Sequence, residues 1–367
     1  MTSHPAAVRG RAARPSPTRL LPGPAAPARP ARLARLARPV GTLALALATV
    51  VLALAVPAAG ASGGSVALVA YSTPEPAYTA LIKAFEASKA GSGVSVTTSY
   101  GPSGTQATDV VAGQPAGVVN FSTALDMDKL VKAGLVSSAW DRGPTKGMVT
   151  NSIVSFIVRK GNPDHIRTWT DLVKPGVQVI TPNPFSSGSA KWNLMAAYGA
   201  QIAMGKSKAK ADAFLAKLLK NTVAQPTSAS TALQTFLSGE GDVLLDYEDD
   251  ALYAKRQGEP ISIVTPPQSI LIQNPIAVTK NAADPAAAKA FTAYLLSPAG
   301  QRIWGQQGYR PVLPKVAATF HFPQPKKIFT ITSLGGWTAV NTTFFTATTG
   351  TVARIEQGLG VSTSKSG

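Results

Sequence analysis

From Val66 onward the chain repeats one alternation: a short apolar run, a turn of small residues, then apolar positions spaced three and four apart. Continuous apolar runs read as buried strands, and the three-to-four spacing reads as one face of a helix. Val66-Ala-Leu-Val-Ala70 is the first run, followed by the turn Tyr71-Ser-Thr-Pro-Glu-Pro76 and a helix face of Tyr78, Leu81, Ile82 and Phe85. Val94-Ser-Val-Thr-Thr98 and Val118-Val-Asn-Phe121 repeat the unit, each leading into a helix, the second carrying Leu125 to Leu130. A second series opens at Ile153-Val-Ser-Phe-Ile-Val158. It continues through strand Val177-Gln-Val-Ile180, helices from about 190 and around Phe214 to Leu219 and Leu233 to Leu237, strand 241–247, and a helix at Ala251 to Lys255. Strands Ile261-Ser-Ile-Val264 and Pro275-Ile-Ala-Val278 precede helices over 286–296, 298–306 and 352–357. Strand–helix alternation of this kind predicts mostly parallel sheets covered by helices. Two such series predict two α/β lobes with a cleft, because ligands of α/β sheets bind at the carboxyl ends of strands.

Before Val66 the pattern differs. Residues 1–40 carry eight arginines and no acid, then an apolar run from Val40 to Val56 ends in Pro57-Ala-Ala-Gly-Ala-Ser62. A basic region, an apolar core and a small-x-small end predict a secretory signal peptide, cleaved after Ala61, and hence an extracytoplasmic protein. An uncleaved anchor is the competing reading, but the run is short for a span of about 20 residues. The formal charge of +17 is largely this leader: without it, 27 basic residues face 18 acidic ones, with no dense basic run that would point to nucleic acid. The 45% apolar content suffices for a sizeable core. The chain has no cysteine, which excludes disulfides, thiolate metal sites and a lipid-anchoring cysteine.

Three turns share one design: strand end, small hydroxyl residues, helix start. They are Ser72-Thr73, Ser103-Gly104-Thr105 and Ser187-Gly188-Ser189. Each admits an ordinary capped helix. Each also admits an anion site, since unpaired N–H groups and the positive end of the helix dipole converge there. Thr227-Ser-Ala-Ser-Thr231, before Leu233, is a fourth candidate. Placed in two lobes, such turns describe a cleft closing on one oxyanion. His4, His165 and His321 are scattered, with no metal-binding spacing and no nucleophile–base pair, so neither a metal, a cofactor nor a catalytic step is expected. A secreted enzyme acting on phosphate esters is the competing class. Glu248-Asp249-Asp250 reads as a solvated helix start. Trp192 and Trp337 read as core.

The stretch Thr181-Pro-Asn-Pro-Phe-Ser-Ser-Gly-Ser-Ala-Lys-Trp-Asn193 resembles the signature loop of the sulfate/thiosulfate-binding proteins of ABC importers. Gly101-Pro-Ser-Gly-Thr-Gln-Ala107, Trp169-Thr-Asp-Leu-Val-Lys-Pro-Gly-Val177, Ser297-Pro-Ala-Gly-Gln301 with Tyr309-Arg-Pro311, and Gly335-Gly-Trp337 extend the resemblance over most of the chain after the leader. It implies a type II periplasmic binding protein-like fold, two α/β lobes joined by a two-crossover hinge with the ligand in the cleft. Lobe 1 is expected over 62–152 and 274–362, lobe 2 over 153–273. It implies a monomer that captures sulfate and delivers it to a membrane ABC permease, with Ser103, Ser187, Gly188 and Ser189 as donors by matched position and a backbone N–H from Ser230 to Ala232. Together with the turns, the expected ligand set is Ser72, Thr73, Ser103, Gly104, Ser187, Gly188, Ser189, Ala232 and Tyr247. Two positions depart from the family. Ser72 stands where an aspartate is usual, and Tyr247 where a tryptophan donor is usual. Both are hydroxyls, which resembles the molybdate-binding proteins and keeps molybdate, tungstate and phosphate as alternatives to sulfate.

Overall fold

The computed structural model of the protein describes residues 63–361 and 363. The leader with its expected cleavage site, and nearly all of the polar tail, lie outside them. In chain order, β1 (Ser65–Tyr71), α1 (Glu75–Glu86), β2 (Ser95–Gly101), α2 (Ser103–Val111), β3 (Val118–Asn120) and α3 (Ala124–Lys132) form the first series. A long strand, β4 (Met148–Arg159), leads to β5 (Val179–Ile180), α4 (Gly188–Ala203), α5 (Lys208–Lys220), β6 (Thr222–Ala224), α6 (Ala229–Leu237), β7 (Val243–Tyr247), α7 (Glu248–Arg256) and β8 (Ile261–Val264). A second long strand, β9 (Gln268–Val278), is followed by α8 (Pro285–Leu296), α9 (Pro298–Gln306), β10 (Arg310–Pro311), α10 (Pro314–Ala317), β11 (Lys327–Phe329), α11 (Gly336–Val340) and α12 (Thr351–Gly358). The predicted elements are all present. The short strands β6, β10 and β11 have no prediction, because two- and three-residue strands carry no readable period; the first half of β9 has none either, although Ile270-Leu-Ile272 is an apolar run.

Strand order is β2-β1-β3-β9-β4-β7-β5-β6. β1 pairs in parallel with β2 and β3, and β5 with β6 and β7. Between these parallel halves run β4 and β9, antiparallel to each other with Ile153 opposite Leu271. The far half of β9 pairs with β3, and the far half of β4 pairs with β7. These two strands are therefore the crossovers that join the lobes. Each half-sheet is covered on both faces. In the first lobe, Tyr78, Phe85, Phe291 and Trp304 fill one side and Ala107, Met127 and Leu130 the other. In the second, Trp169, Trp192, Phe214 and Leu245 fill one side and Ile157, Ile180, Phe236 and Leu244 the other.

The segment from Lys327 onward is expected in lobe 1. Instead β11 pairs with the start of β9, Trp337 packs edge-on to Trp192 at 4.6 Å, and Phe344 packs on Tyr198 at 4.7 Å. The apolar side of α4 needs a cover, and this segment supplies it. Gly199 is the point of closest approach: a Cβ there would lie 2.1 Å from the Phe329 ring.

Candidate anion-binding site

Helices α5, α8 and α9 are closed by their own side chains. Ser207, Asp284 and Ser297 each accept a backbone N–H of the first turn. The helices that begin at the strand ends behave differently. α1, α2, α3 and α4 have no side-chain cap bond. Their first N–H groups have no intrahelical partner by construction, though at α2 the Gly104 N–H is taken by the Ser186 carbonyl.

The loop 181–187 aims α4. Asn183 holds it, accepting the Phe185 N–H at its side chain and the Ser187 N–H at its carbonyl. Ser186 Oγ donates to the Thr227 carbonyl, tying this loop to the start of α6. Asn193 anchors the helix behind it, donating to Thr181 Oγ1 and the Leu245 carbonyl. Ser187, Gly188 and Ser189 are thereby brought to the cleft, all buried. Opposite them is the start of α2: Gly104 N–H donates to the Ser186 carbonyl at 3.1 Å. Tyr247, at the end of β7, is fully buried and joins the group. Its hydroxyl lies 2.7 Å from Ser122 Oγ, and Ser189 and Asn274 are beside it as well. Burial pushes its phenol well above the usual tyrosine range, so it is a protonated donor at any physiological pH.

The remaining expected residues are placed differently. Ser103 is buried at the start of α2, but its hydroxyl donates to Asp126 at 2.7 Å and accepts the Ser122 N–H at 2.9 Å. Only its backbone N–H remains as a candidate donor. Ser72 follows Tyr71, whose ring lies 6.3 Å from that of Tyr247. Thr73 spends its proton on Asp250, a bond between the lobes. The Ala232 N–H is bonded to the Ser228 carbonyl in the first turn of α6, and its side chain is buried with Ile157 and Ile180. The groups without a helical partner at that turn are one step earlier, the N–H of Ala229 and Ser230.

Three features had no sequence expectation. Ser122-Thr123 is a further strand-end turn of the same design, between β3 and α3, and it touches Tyr247. Trp192 is buried as expected, yet its indole N–H crosses the cleft to the Ser122 carbonyl at 2.8 Å. Asp126 is a buried carboxylate holding Ser103, Thr123 and Lys129. Burial opposes its charge, but Lys129 and Lys191 and these hydrogen bonds outweigh burial and hold its carboxyl below the usual range. A cavity of about 510 Å³ opens beside the group, with Gly104, Ser187 and Gly188 in its wall and a lysine from each lobe, Lys129 and Lys191.

The acidic run is also corrected. Glu248, Asp249 and Asp250 are buried, not solvated. Glu248 is clamped by Arg310 through two bonds, 2.7 and 3.0 Å. Asp249 accepts from Ser152 of the crossover strand β4, and Asp250 from Thr73. Burial pushes Asp249 up to about 7 and raises Asp246 and Asp250 as well. Among the described residues no group of three or more His, Cys, Asp or Glu is arranged to hold a metal ion.

Residues 66–310 match the family model described as bacterial extracellular solute-binding protein. The chain is 36% identical over 300 residues to a sulfate-binding protein of Synechococcus elongatus, covering 77% of this chain and 86% of that protein. It is 39% identical over 284 residues to a sulfate-binding protein of Escherichia coli, covering 74% and 86%. Among solved structures, the sulfate-binding protein SubI of Mycobacterium tuberculosis matches with a TM-score of 0.75 at 46% identity, covering 76% of this chain and 98% of that one. With the family model matched over residues 66–310 and these relatives matched over about three quarters of this chain, this chain belongs to the bacterial extracellular solute-binding proteins.

Proposed function

We propose that the protein is secreted, captures sulfate between its lobes as a monomer, and hands it to a membrane ABC permease. The carrying observation is the start of α2 facing the start of α4 across the cleft, with Gly104 bonded to Ser186 and the Tyr247 hydroxyl beside Ser189. The proposed donors are the Ser103 N–H at the start of α2, the N–H groups at the starts of α4 and α6, the hydroxyls of Ser72, Ser187 and Ser189, and the Tyr247 phenol; the Gly104 N–H is taken by Ser186. Each bond from a neutral donor to a charged ligand is worth about 1.5–3 kcal/mol. Several are needed, because desolvating a dianion costs of order tens of kcal/mol if uncompensated. Opening and closing would bend β4 and β9, with lobe 1 formed by 62–152 and the chain from 274 to about α10, and lobe 2 by 153–273 with the segment from β11 on.

Sulfate is favoured over phosphate by the state of Asp126, the one carboxylate among the described residues lining the cavity of about 510 Å³. Phosphate at neutral pH carries a proton and wants an acceptor, and Asp126 already accepts from three donors. A second reading, molybdate, rests on the hydroxyls of Ser72 and Tyr247. Calorimetry with sulfate, thiosulfate, molybdate and phosphate in turn tests both. Sulfate should bind most tightly, and Ser187→Ala should weaken it about tenfold, the worth of one bond to a charged ligand. A protein that releases no heat with any of the four is not an oxyanion carrier.

A further inference from the structure

We propose that Ser122 is a positioning residue for Tyr247: its hydroxyl donates to the phenol oxygen across the cleft and so turns the phenol proton toward the bound anion. This role rests on the oxyanion reading of the site.

Ser122 has little freedom. Its N–H donates to Ser103 Oγ at 2.9 Å, and Ser103 is itself fixed by donating its only proton to Asp126 at 2.7 Å. Lys129 at 2.8 Å and Thr123 at 3.2 Å complete the hold on Asp126. The carbonyl of Ser122 accepts from the Trp192 indole at 2.8 Å and from the Asn274 amide at 3.3 Å. The main chain is thus pinned by α2, α4 and β9, and only the hydroxyl can still turn. That hydroxyl is delivered to Tyr247 at 2.7 Å. Gly188 is packed against it so closely that a Cβ there would lie 2.7 Å from Ser122 Oγ.

A contact between two hydroxyls holds one proton. If the phenol donates, it is lost to the ligand. If the serine donates, the phenol is free to donate onward, and the two bonds polarise each other. An anion selects between these. The phenol is the stronger proton donor of the pair, with an ordinary pKa near 10, so the charged ligand takes the phenol proton; Ser189 and Asn274 also lie beside the phenol, and Ser122, at 2.7 Å, supplies the bond behind it from the other lobe. Ser122 lies on the first lobe, after β3, and Tyr247 ends β7 of the second. The phenol is therefore aimed only when the lobes are closed, which ties the strength of one donor to closure.

The test is calorimetry of sulfate binding to the purified protein and to Ser122→Ala, Tyr247→Phe and the double variant, with thermal unfolding without ligand as the check on folding. Ser122→Ala keeps the three backbone bonds, so its unfolding should match the wild type. Its sulfate affinity should fall about fivefold, the worth of one neutral hydrogen bond of about 1 kcal/mol. Tyr247→Phe should lose more than Ser122→Ala, and the double variant should be no weaker than Tyr247→Phe, since Ser122 acts through the phenol. Unchanged affinity in Ser122→Ala, a larger loss there than in Tyr247→Phe, or losses that add in the double variant would each overturn the role while leaving the sulfate site standing. A wild-type protein that fails to bind sulfate overturns the site reading itself.

Discussion

Gly188→Ala separates closure from folding in a single methyl group. Gly188 is the first residue of α4, with Ser187 as its N-cap, and it is not among the glycines with positive φ. Alanine is therefore conformationally free there, and removing a glycine stabilises the folded chain by up to about 1 kcal/mol. The added Cβ, however, would lie 2.7 Å from both Cβ and Oγ of Ser122 and 3.1 Å from Thr123 Cγ2. Those atoms belong to the other lobe, on a turn held by Ser103, Trp192 and Asn274. Neither side yields cheaply, and overpacking of this kind costs about 1–3 kcal/mol. The cost falls on the closed form alone, since the contact is between lobes. Sulfate affinity should drop about 5- to 150-fold at 1.4 kcal/mol per factor of ten. Unfolding without ligand should be unchanged or slightly later. Calorimetry and thermal unfolding on one preparation read both signs, and small-angle scattering should show the variant remaining more extended when sulfate is added. Wild-type affinity in Gly188→Ala would refute the view that Ser122 and α4 meet only on closure.

Other consequences lie in the buried carboxyls. Burial raises Asp249 from its ordinary 3.8 to about 7. A raised folded value means its contribution is present below the unfolded value and is lost as pH rises between about 4 and 7. At about 1.4 kcal/mol per pH unit that loss is at most about 4 kcal/mol, and Asp246 and Asp250 act in the same direction. Urea unfolding should show the wild type weaker at pH 8 than at pH 5 and Asp249→Asn less so; a wild type that strengthens over that interval contradicts the account. Arg310→Met strands buried Glu248 without its clamp, which should cost about 3–5 kcal/mol at pH 7 and less at pH 4, where Glu248 can protonate; equal losses at both pH values would count against it.

Much of this molecule is legible locally. The strands and helices follow from apolar spacing, and the hydroxyl-rich turns from the chemistry of open helix starts. Ser122-Thr123 could have been found by the same rule, since it too follows an apolar strand and opens a helix. The expected range, Ser230 to Ala232, takes in Ser230 but stops short of Ala229, because a turn's first free N–H depends on which serine becomes the cap, here Ser228. Glu248, Asp249 and Asp250 read as solvated because a short window around them shows only a polar helix start. What buries them comes from elsewhere: Thr73, Ser152, Tyr309 and Arg310.

The sequence by itself determined the two α/β series and the loop Ser187-Gly188-Ser189, because helix periodicity and helix-start chemistry are properties of neighbouring residues. Only the tertiary structure decided which hydroxyls face the cleft and which are spent. Ser103 donates to Asp126, Thr73 to Asp250, and Ser122 meets Tyr247, 125 residues away in the chain. A hydroxyl has one proton, and where it goes is set by whatever acceptor folding brings within about 3 Å, which no local pattern records.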